Sequence, residues 1–422
     1  MKTPITDIPK FTGYQKFVIV ILAMLQFTVI LDFMVISPLG DILMKTLDMT
    51  TANFGLVVSG YAFSAGASGL LAAGFADKFD RKKLLVFFYI GFICGTVFCA
   101  FSTNYVMLLS ARILTGFFGG VIGSVSLAIV TDIFELNQRG RVMGFIQMAF
   151  AVSQILGIPI GIYFANIWGW HSSFLMVVAL ASVILIAILV RMQPVDKHLA
   201  LQSSKSPLLH LWHTLRNREY RIGFSTVALL SIGGFMLQPF GSAYLINNIG
   251  ITQAQLPVVF FSTGIAVLFI MPIVGKLSDK INKMALFTAG SVISIIMILI
   301  YTNLPQTPLW EIIVINMFLF MGIMSRIVPS QAINTAIPDM SDRGAYMAIT
   351  SSMQQIAGGI AAIGAGYIVH QQTKTSPLEN YSILGYVISF VTICSIFLMM
   401  RVNKIAERRK QPVVAEPITE LA

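Results

Sequence analysis

Ala73-Gly-Phe-Ala-Asp77-Lys78-Phe79-Asp80-Arg81-Lys82-Lys83 is a short, densely charged run between two long apolar stretches, Phe54–Phe75 and Leu84–Phe101. An apolar stretch of about 20 residues is long enough to cross a bilayer as a helix. A loop this short must turn two such helices back at one membrane face. Its basic residues, Lys78, Arg81, Lys82 and Lys83, place that face in the cytoplasm by the positive-inside rule.

The arrangement returns later in the chain. Gly275-Lys-Leu-Ser-Asp279-Lys280-Ile281-Asn282-Lys283 lies between apolar stretches and aligns Asp279-Lys280 with Asp77-Lys78. Glu135…Arg139-Gly140 is echoed by Asp339…Arg343-Gly344 at nearly the same offset. Equal spacing in two halves indicates internal duplication, which transporter folds use widely.

The charged loop resembles the signature between the second and third transmembrane helices of the major facilitator superfamily, in outline G-x-x-x-D-R-x-G-R-R/K. Asp77, Lys78, Arg81 and Lys82 occupy its charged positions, and Ala73 stands where the first glycine is expected. Asp80, and Asn282 in the second half, stand where the turn glycine is expected. Asp and Asn are the residues other than glycine that best tolerate a left-handed backbone, so the turn is expected to survive.

Composition sets the class. Hydrophobic residues make up 56% of the 422 and charged residues 11%, with a mean hydropathy of +0.81. A soluble chain carries roughly a quarter charged residues. The net charge of +10 lies in short loops, as membrane orientation requires, so no nucleic-acid partner is expected. Cys94, Cys99 and Cys394 fall in apolar stretches and suggest neither a disulfide nor a metal site. No phosphate-binding G-x-x-x-x-G-K-S/T loop is present, so no nucleotide-driven pump is expected, and no cofactor.

The chain reads as an all-α integral membrane protein of twelve transmembrane helices. Residues 1–16 form a cytoplasmic N-terminus, 17–190 a first group of six helices, and 191–221 a cytoplasmic central loop. Residues 222–400 form the second six, and 401–422 a cytoplasmic tail read as disordered. With this topology 24 of the 28 Lys and Arg residues fall on the cytoplasmic side, and only Lys45 and Lys374 on the outer side. The central loop contains Leu208, Leu211, Trp212 and Leu215 at helical spacing behind Pro207. An amphipathic surface helix and a plain connecting loop both fit.

The resemblance implies two pseudo-symmetric six-helix bundles, the major facilitator fold, with a substrate site between them and rocking alternating access. Arg112-Ile-Leu-Thr-Gly116 resembles the superfamily's R-x-x-Q-G element in the fourth helix, with Thr115 in place of glutamine. Gly157-Ile-Pro159-Ile-Gly161 resembles the antiporter element G-P-x-x-G of the fifth helix, its proline shifted by one place. That resemblance implies export. Small residues recur four apart at Gly60, Ser64 and Ser68 in span two and at Gly358, Ala362 and Gly366 in span eleven. The resemblance would pack these two helices together across the boundary between the halves. It also implies a gate in which Asp77 meets the start of span eleven near Arg343, Arg81 pairs with Asp132, and Asp279 repeats Asp77 in the second half. These contacts are expected only when the cytoplasmic side is closed.

Gln26, Gln147, Gln154, Asn316, Arg326 and Gln331 are the polar residues within spans that are candidates for a substrate cavity. Asp32 is the only carboxylate deep in any span. It lies seven residues before the outer end of span one at Leu39, and Arg112 lies seven after the outer start of span four at Tyr105. At 1.5 Å per residue both lie roughly 10 Å below the outer surface. Buried charge in a membrane is costly and marks proton relays and partners. Asp32 is therefore the expected proton-binding residue, with Arg112 setting its affinity. A static ion pair between helices fits the same residues.

The expected activity is secondary transport in the cell's inner membrane: a proton-coupled efflux antiporter of small apolar or amphiphilic compounds. Its expected partners are the small-molecule substrate, protons and the lipid bilayer, and it is expected to be monomeric and not an enzyme. The alternatives are a transporter of a hydrophilic metabolite such as a sugar or amino acid, and a non-transporting membrane sensor.

Overall fold

The computed structural model describes residues 11–75, 78–196, 199, 207–339 and 342–410. Twelve spans follow one another in chain order. The first six are Gly13–Val35, Thr51–Phe75, Arg81–Ala100, Tyr105–Ile133, Leu136–Trp168 and His171–Arg191. Span seven runs from Arg218 to Phe235 and resumes as a short helix Gly241–Tyr244 and a π turn Leu245–Ile249. The last five are Leu256–Lys280, Lys283–Tyr301, Leu309–Asn334, Arg343–Ile368 and Tyr381–Lys410. The duplication is visible in the starts. Span eight begins at Leu256 where span two begins at Thr51, and span nine at Lys283 where span three begins at Arg81. The end of the bundle carrying Lys78, Arg81 and Lys82 is called the basic face below.

The two charged loops turn by capping. Asp80 has φ −55° and ψ 124°, and its carboxylate accepts the backbone N–H of Lys82 at 2.7 Å. Asn282 has φ −59° and ψ 121° and accepts the N–H of Met284 at 2.8 Å. Neither is left-handed, contrary to the expectation from the missing glycines. Each satisfies a free donor at the start of the next helix, which is the job Asp and Asn side chains do best there. The duplicated loops thus share a cap.

Among the described residues ten helices are long and apolar enough to cross a membrane. Spans seven and eleven are the other two. Span seven is broken after Phe235. Span eleven carries Thr350, Ser351, Ser352, Gln354 and Gln355. Its neighbours explain why it tolerates them: it is packed against spans two and seven, so much of its surface meets protein.

Spans two and eleven pack together across the boundary between the halves, as expected. A methyl group built on Gly55 would lie 2.6 Å from the Ala362 carbonyl oxygen, and one on Gly66 2.8 Å from Ile356. Thr51 Oγ1 donates to the Val369 carbonyl at 2.6 Å. Gly60, Ser64 and Ser68 turn instead toward span four. Ser64 and Ser68 abut Gly116 and Gly120, and Gly60 faces Leu109 and Ile113. Ala362 and Gly366 do meet span two, while Gly358 takes the ring of Phe235 from span seven. Spacing of four marks a close helix contact without saying which helix is met.

Two segments near the basic face gain structure. Pro207–Arg216 of the central loop is a helix with Thr214 buried, Leu211 packed on the second core cluster and Trp212 60% exposed. Span twelve continues past Met400 to Lys410, correcting the reading of a disordered tail over its first ten residues. Val402, Ile405 and Ala406 keep one face buried. Arg409 binds Glu219 at 2.7 Å, Asp339 at 2.9 Å and the Ile337 carbonyl at 2.6 Å. Residues 411–422 lie outside the described residues.

Candidate functional site

Asp32 and Arg112, from spans one and four, meet inside the first half. Arg112 Nη1 donates to Asp32 Oδ2 at 2.8 Å and to the Asp32 backbone carbonyl at 3.1 Å. Thr96 Oγ1 of span three lies 3.3 Å from Asp32 Oδ1, its one proton shared between that oxygen and the Phe92 carbonyl at 2.9 Å. Both charged residues are 0% exposed. The guanidinium carbon sits 4.4 Å from the centre of the Tyr61 ring of span two, so a cation–π contact covers one side. Arg112 Nε and Nη2 have no hydrogen-bond partner among the described residues. The site is therefore a carboxylate tied on both oxygens and a guanidinium with donors to spare.

The local sequence explains this closeness. Gly116 of span four abuts Tyr61 and Ser64, so any side chain there would push span four off span two. Gly95 sits on Thr115, bringing span three against span four. Gly157 faces Leu31, the neighbour of Asp32, and Gly161 faces Val35. Pro159 lacks an N–H and so leaves the carbonyl of Ile155, four residues back, without its α-helical donor. Span five widens there into a π turn, Ser153–Gly157. Span eight packs on that turn, since a methyl on Gly264 would lie 2.7 Å from Ile155 Cα. The antiporter-like element thus lies between the ion pair's helix and the second half.

A short aromatic chain leads the same way. The ring of Phe33 lies 5.1 Å from Tyr61 and 5.8 Å from Phe235 of the second half. Phe33, Ser37, Phe235, Gln238 and Gly358 line a small gap between the halves.

Opposite the basic face the halves are joined by polar bonds. Asp41 takes hydrogen bonds from Asn247 at 2.7 Å, Gln253 at 2.9 Å and Lys45 at 2.8 Å. Ser242 Oγ donates to the Ser37 carbonyl at 2.8 Å, and Asn166 to the Gln253 carbonyl at 3.0 Å.

At the basic face Arg81 Nε binds Asp132 Oδ2 at 3.2 Å. Both belong to the first half, so this pair does not require the halves to approach, contrary to the expectation of a contact made only on closure. Asp77 lies outside the described residues, as does the side chain of Asp279. Arg343 is exposed at the start of span eleven. The candidate cavity residues are scattered. Gln26 and Gln154 are half-buried, Gln147 and Gln331 exposed, and Asn316 and Arg326 buried. Tyr61, Thr96, Asp41, Asn247 and Gln253 were not singled out from the sequence, since polar residues at span ends and lone hydroxyls give no signal of what they face.

The family model described as the Major Facilitator Superfamily matches residues 22–363. The chain belongs to that superfamily. It is a multi-pass membrane protein and a secondary transporter of that kind. It is 23% identical over 380 residues to the uncharacterized MFS-type transporter YbcL of Bacillus subtilis, covering 90% of this chain and 95% of that one. It is 24% identical over 374 residues to a probable sugar efflux transporter of Helicobacter pylori, covering 85% and 90%. Among solved structures, a D-xylose-proton symporter matches with a TM-score of 0.76 at 16% identity over 94% of this chain and 99% of that one. A bacterial homolog to the human lysosomal transporter Spinster, inward-facing and unoccupied, matches with 0.74 at 14% identity over 96% and 100%. At these identities the two matches show a shared fold alone.

Proposed function

We propose that this superfamily member is a proton-coupled exporter of small apolar or amphiphilic compounds. The observation that carries the reading is the sealed Asp32–Arg112 pair, 0% exposed at both residues and joined at 2.8 Å. A proton on Asp32 removes half of the charge pair, weakens the bond to Arg112 and frees spans one and four to shift. A cationic substrate group displaces the proton by taking the same carboxylate. Phe33 carries the change toward Phe235, because its ring contacts both Tyr61 and the second half. On this reading the basic face is cytoplasmic, both termini lie there, and the monomer sits in the inner membrane. Arg81, Asp132, Asp77, Asp279 and Arg343 then serve gating at that face, with the Arg81–Asp132 pair fixing one half's surface. Asp41 and its partners form the outer gate.

Export is supported by the names of relatives, probable sugar efflux transporters, and by Gly157, Pro159 and Gly161 at the junction of spans one, five and eight. The apolar substrate class is supported by Phe33, Phe63 and Phe235 along the meeting surface; Phe63 packs on Gly359. The relatives' names favour a second reading, export of a sugar by the same machinery.

The test is uptake into inverted vesicles with and without an imposed proton gradient, using a panel of lipophilic cations, neutral amphiphiles and sugars. Gradient-driven accumulation of lipophilic cations or neutral amphiphiles is expected. Accumulation of sugars alone supports the second reading, and no gradient-dependent flux of any kind contradicts both.

A further inference from the structure

Arg326 of span ten is the second arginine within a span, and its setting is the reverse of Arg112. It is buried at 5% exposure, and its Nη2 donates to Ser395 Oγ of span twelve at 3.5 Å. Its Nε has no partner among the described residues. Among the described residues no carboxylate pairs with it. Every Asp and Glu of the second half stands near a helix end, and Glu311, on the same span, is fifteen residues away, about 22 Å along the helix.

The polar groups beside Arg326 are hydroxyls of span twelve, which carry no charge to balance it. Thr392 of span twelve is 0% exposed, and its hydroxyl has no partner among the described residues. Ser395 Oγ spends its proton on the Thr392 carbonyl at 2.7 Å. Gly233 of span seven puts no side chain against these groups. A methyl built on it would lie 3.6 Å from Thr392 Oγ1 and 4.0 Å from Arg326 Nη2, in ordinary contact with both.

A guanidinium does not give up its proton in a protein, so burial cannot neutralise it. A buried charge without a partner is expensive, and in a membrane-spanning bundle it marks a site with a missing member. The unused donors of Arg326 and Thr392 both call for an acceptor, and the uncompensated positive charge calls for an anion. The enclosure by spans seven, ten and twelve limits its size.

We infer that Arg326, Thr392 and Gly233 form a binding site for a small inorganic anion of chloride's size inside the second half. The anion neutralises Arg326 and ties span ten to spans seven and twelve. It is separate from the Asp32–Arg112 pair, and its occupancy does not depend on which solute is transported.

The test uses the full chain purified in detergent, with thermal unfolding followed as sodium gluconate is replaced by sodium chloride at fixed ionic strength. Fixed ionic strength removes general screening as a cause. The unfolding temperature of wild type rises with chloride and saturates. Thr392→Val keeps the shape of an already unpartnered side chain, so it unfolds at or above the wild-type temperature in gluconate. Its chloride midpoint moves at least about tenfold higher through loss of one hydrogen bond to a charged group. Gly233→Ala fits at ordinary contact distance and abolishes the chloride response, as does Arg326→Gln. Should Arg326→Gln fail to fold, the other two variants decide. No chloride-specific rise in wild type, or an unchanged midpoint in both Thr392→Val and Gly233→Ala, overturns the proposal.

Discussion

Asp41 and Asn247, 206 residues apart, are joined at 2.7 Å across the boundary between the halves. The Asp41 carboxylate is 1% exposed and also holds Gln253 of the second half and Lys45 of its own. Two amides from one half thus hydrogen-bond a carboxylate of the other half that is already paired with Lys45. Such a contact must break whenever this face opens.

Asp41→Ala therefore shifts the population toward opening at the face away from the basic loops. Hydrogen bonds to charged groups contribute about 1.5–3 kcal/mol each, so loss of the set moves the equilibrium by at least about tenfold. The reporter is a cysteine at Ser37, 5% exposed and lining the gap between the halves. Its labelling by a membrane-impermeant reagent from that face rises in the Asp41→Ala background. Unchanged labelling contradicts the gate.

Gly55→Ala acts at the same face by sterics. Its methyl would lie 2.6 Å from the Ala362 carbonyl oxygen and 3.3 Å from Gly366 Cα, both backbone atoms. Overpacking of this kind costs about 1–3 kcal/mol, charged here to the closed state of that face. Ser37 cysteine labelling rises and transport falls. Gly123→Ala, with nothing within 4 Å of the added methyl, leaves both unchanged. Equal effects from the two substitutions count against the helix contact as the cause.

Arg112→Met strands Asp32 as a buried charge. Breaking such a pair by removing one partner costs about 3–5 kcal/mol, read as a fall in thermal stability of the purified protein. Adding Asp32→Asn removes the stranded charge and recovers most of that loss. A double variant as unstable as Arg112→Met alone shows that Arg112 acts through packing on Tyr61 rather than through Asp32.

Much of this was legible in the sequence, for physical reasons. Loops such as Asp77–Lys83 and Asp279–Lys283 announce themselves because charge is excluded from the bilayer core, and their equal spacing gives the duplication. Asp32 and Arg112 could be placed at one depth because a helix advances by a fixed rise per residue. Depth does not give rotation about the helix axis, so the sequence did not show Thr96 or Tyr61 beside them. The same gap left open which helix Gly60, Ser64 and Ser68 meet; their spacing marks a close contact with some helix, and they face span four. Asp41, Asn247 and Gln253 were invisible because hydrophilic residues at span ends are ordinary. Asp80 and Asn282 were read for backbone tolerance when their side-chain oxygens mattered more.

The central claim is that the buried carboxylate of Asp32 couples proton movement to transport, and Asp32→Asn in sealed vesicles tests it most directly. Accumulation of a transported solute driven by an imposed pH gradient is measured beside exchange of labelled for unlabelled solute with no gradient. The account predicts that the variant loses gradient-driven accumulation and keeps a substantial part of the exchange. A variant that accumulates solute in response to the gradient as wild type does contradicts it.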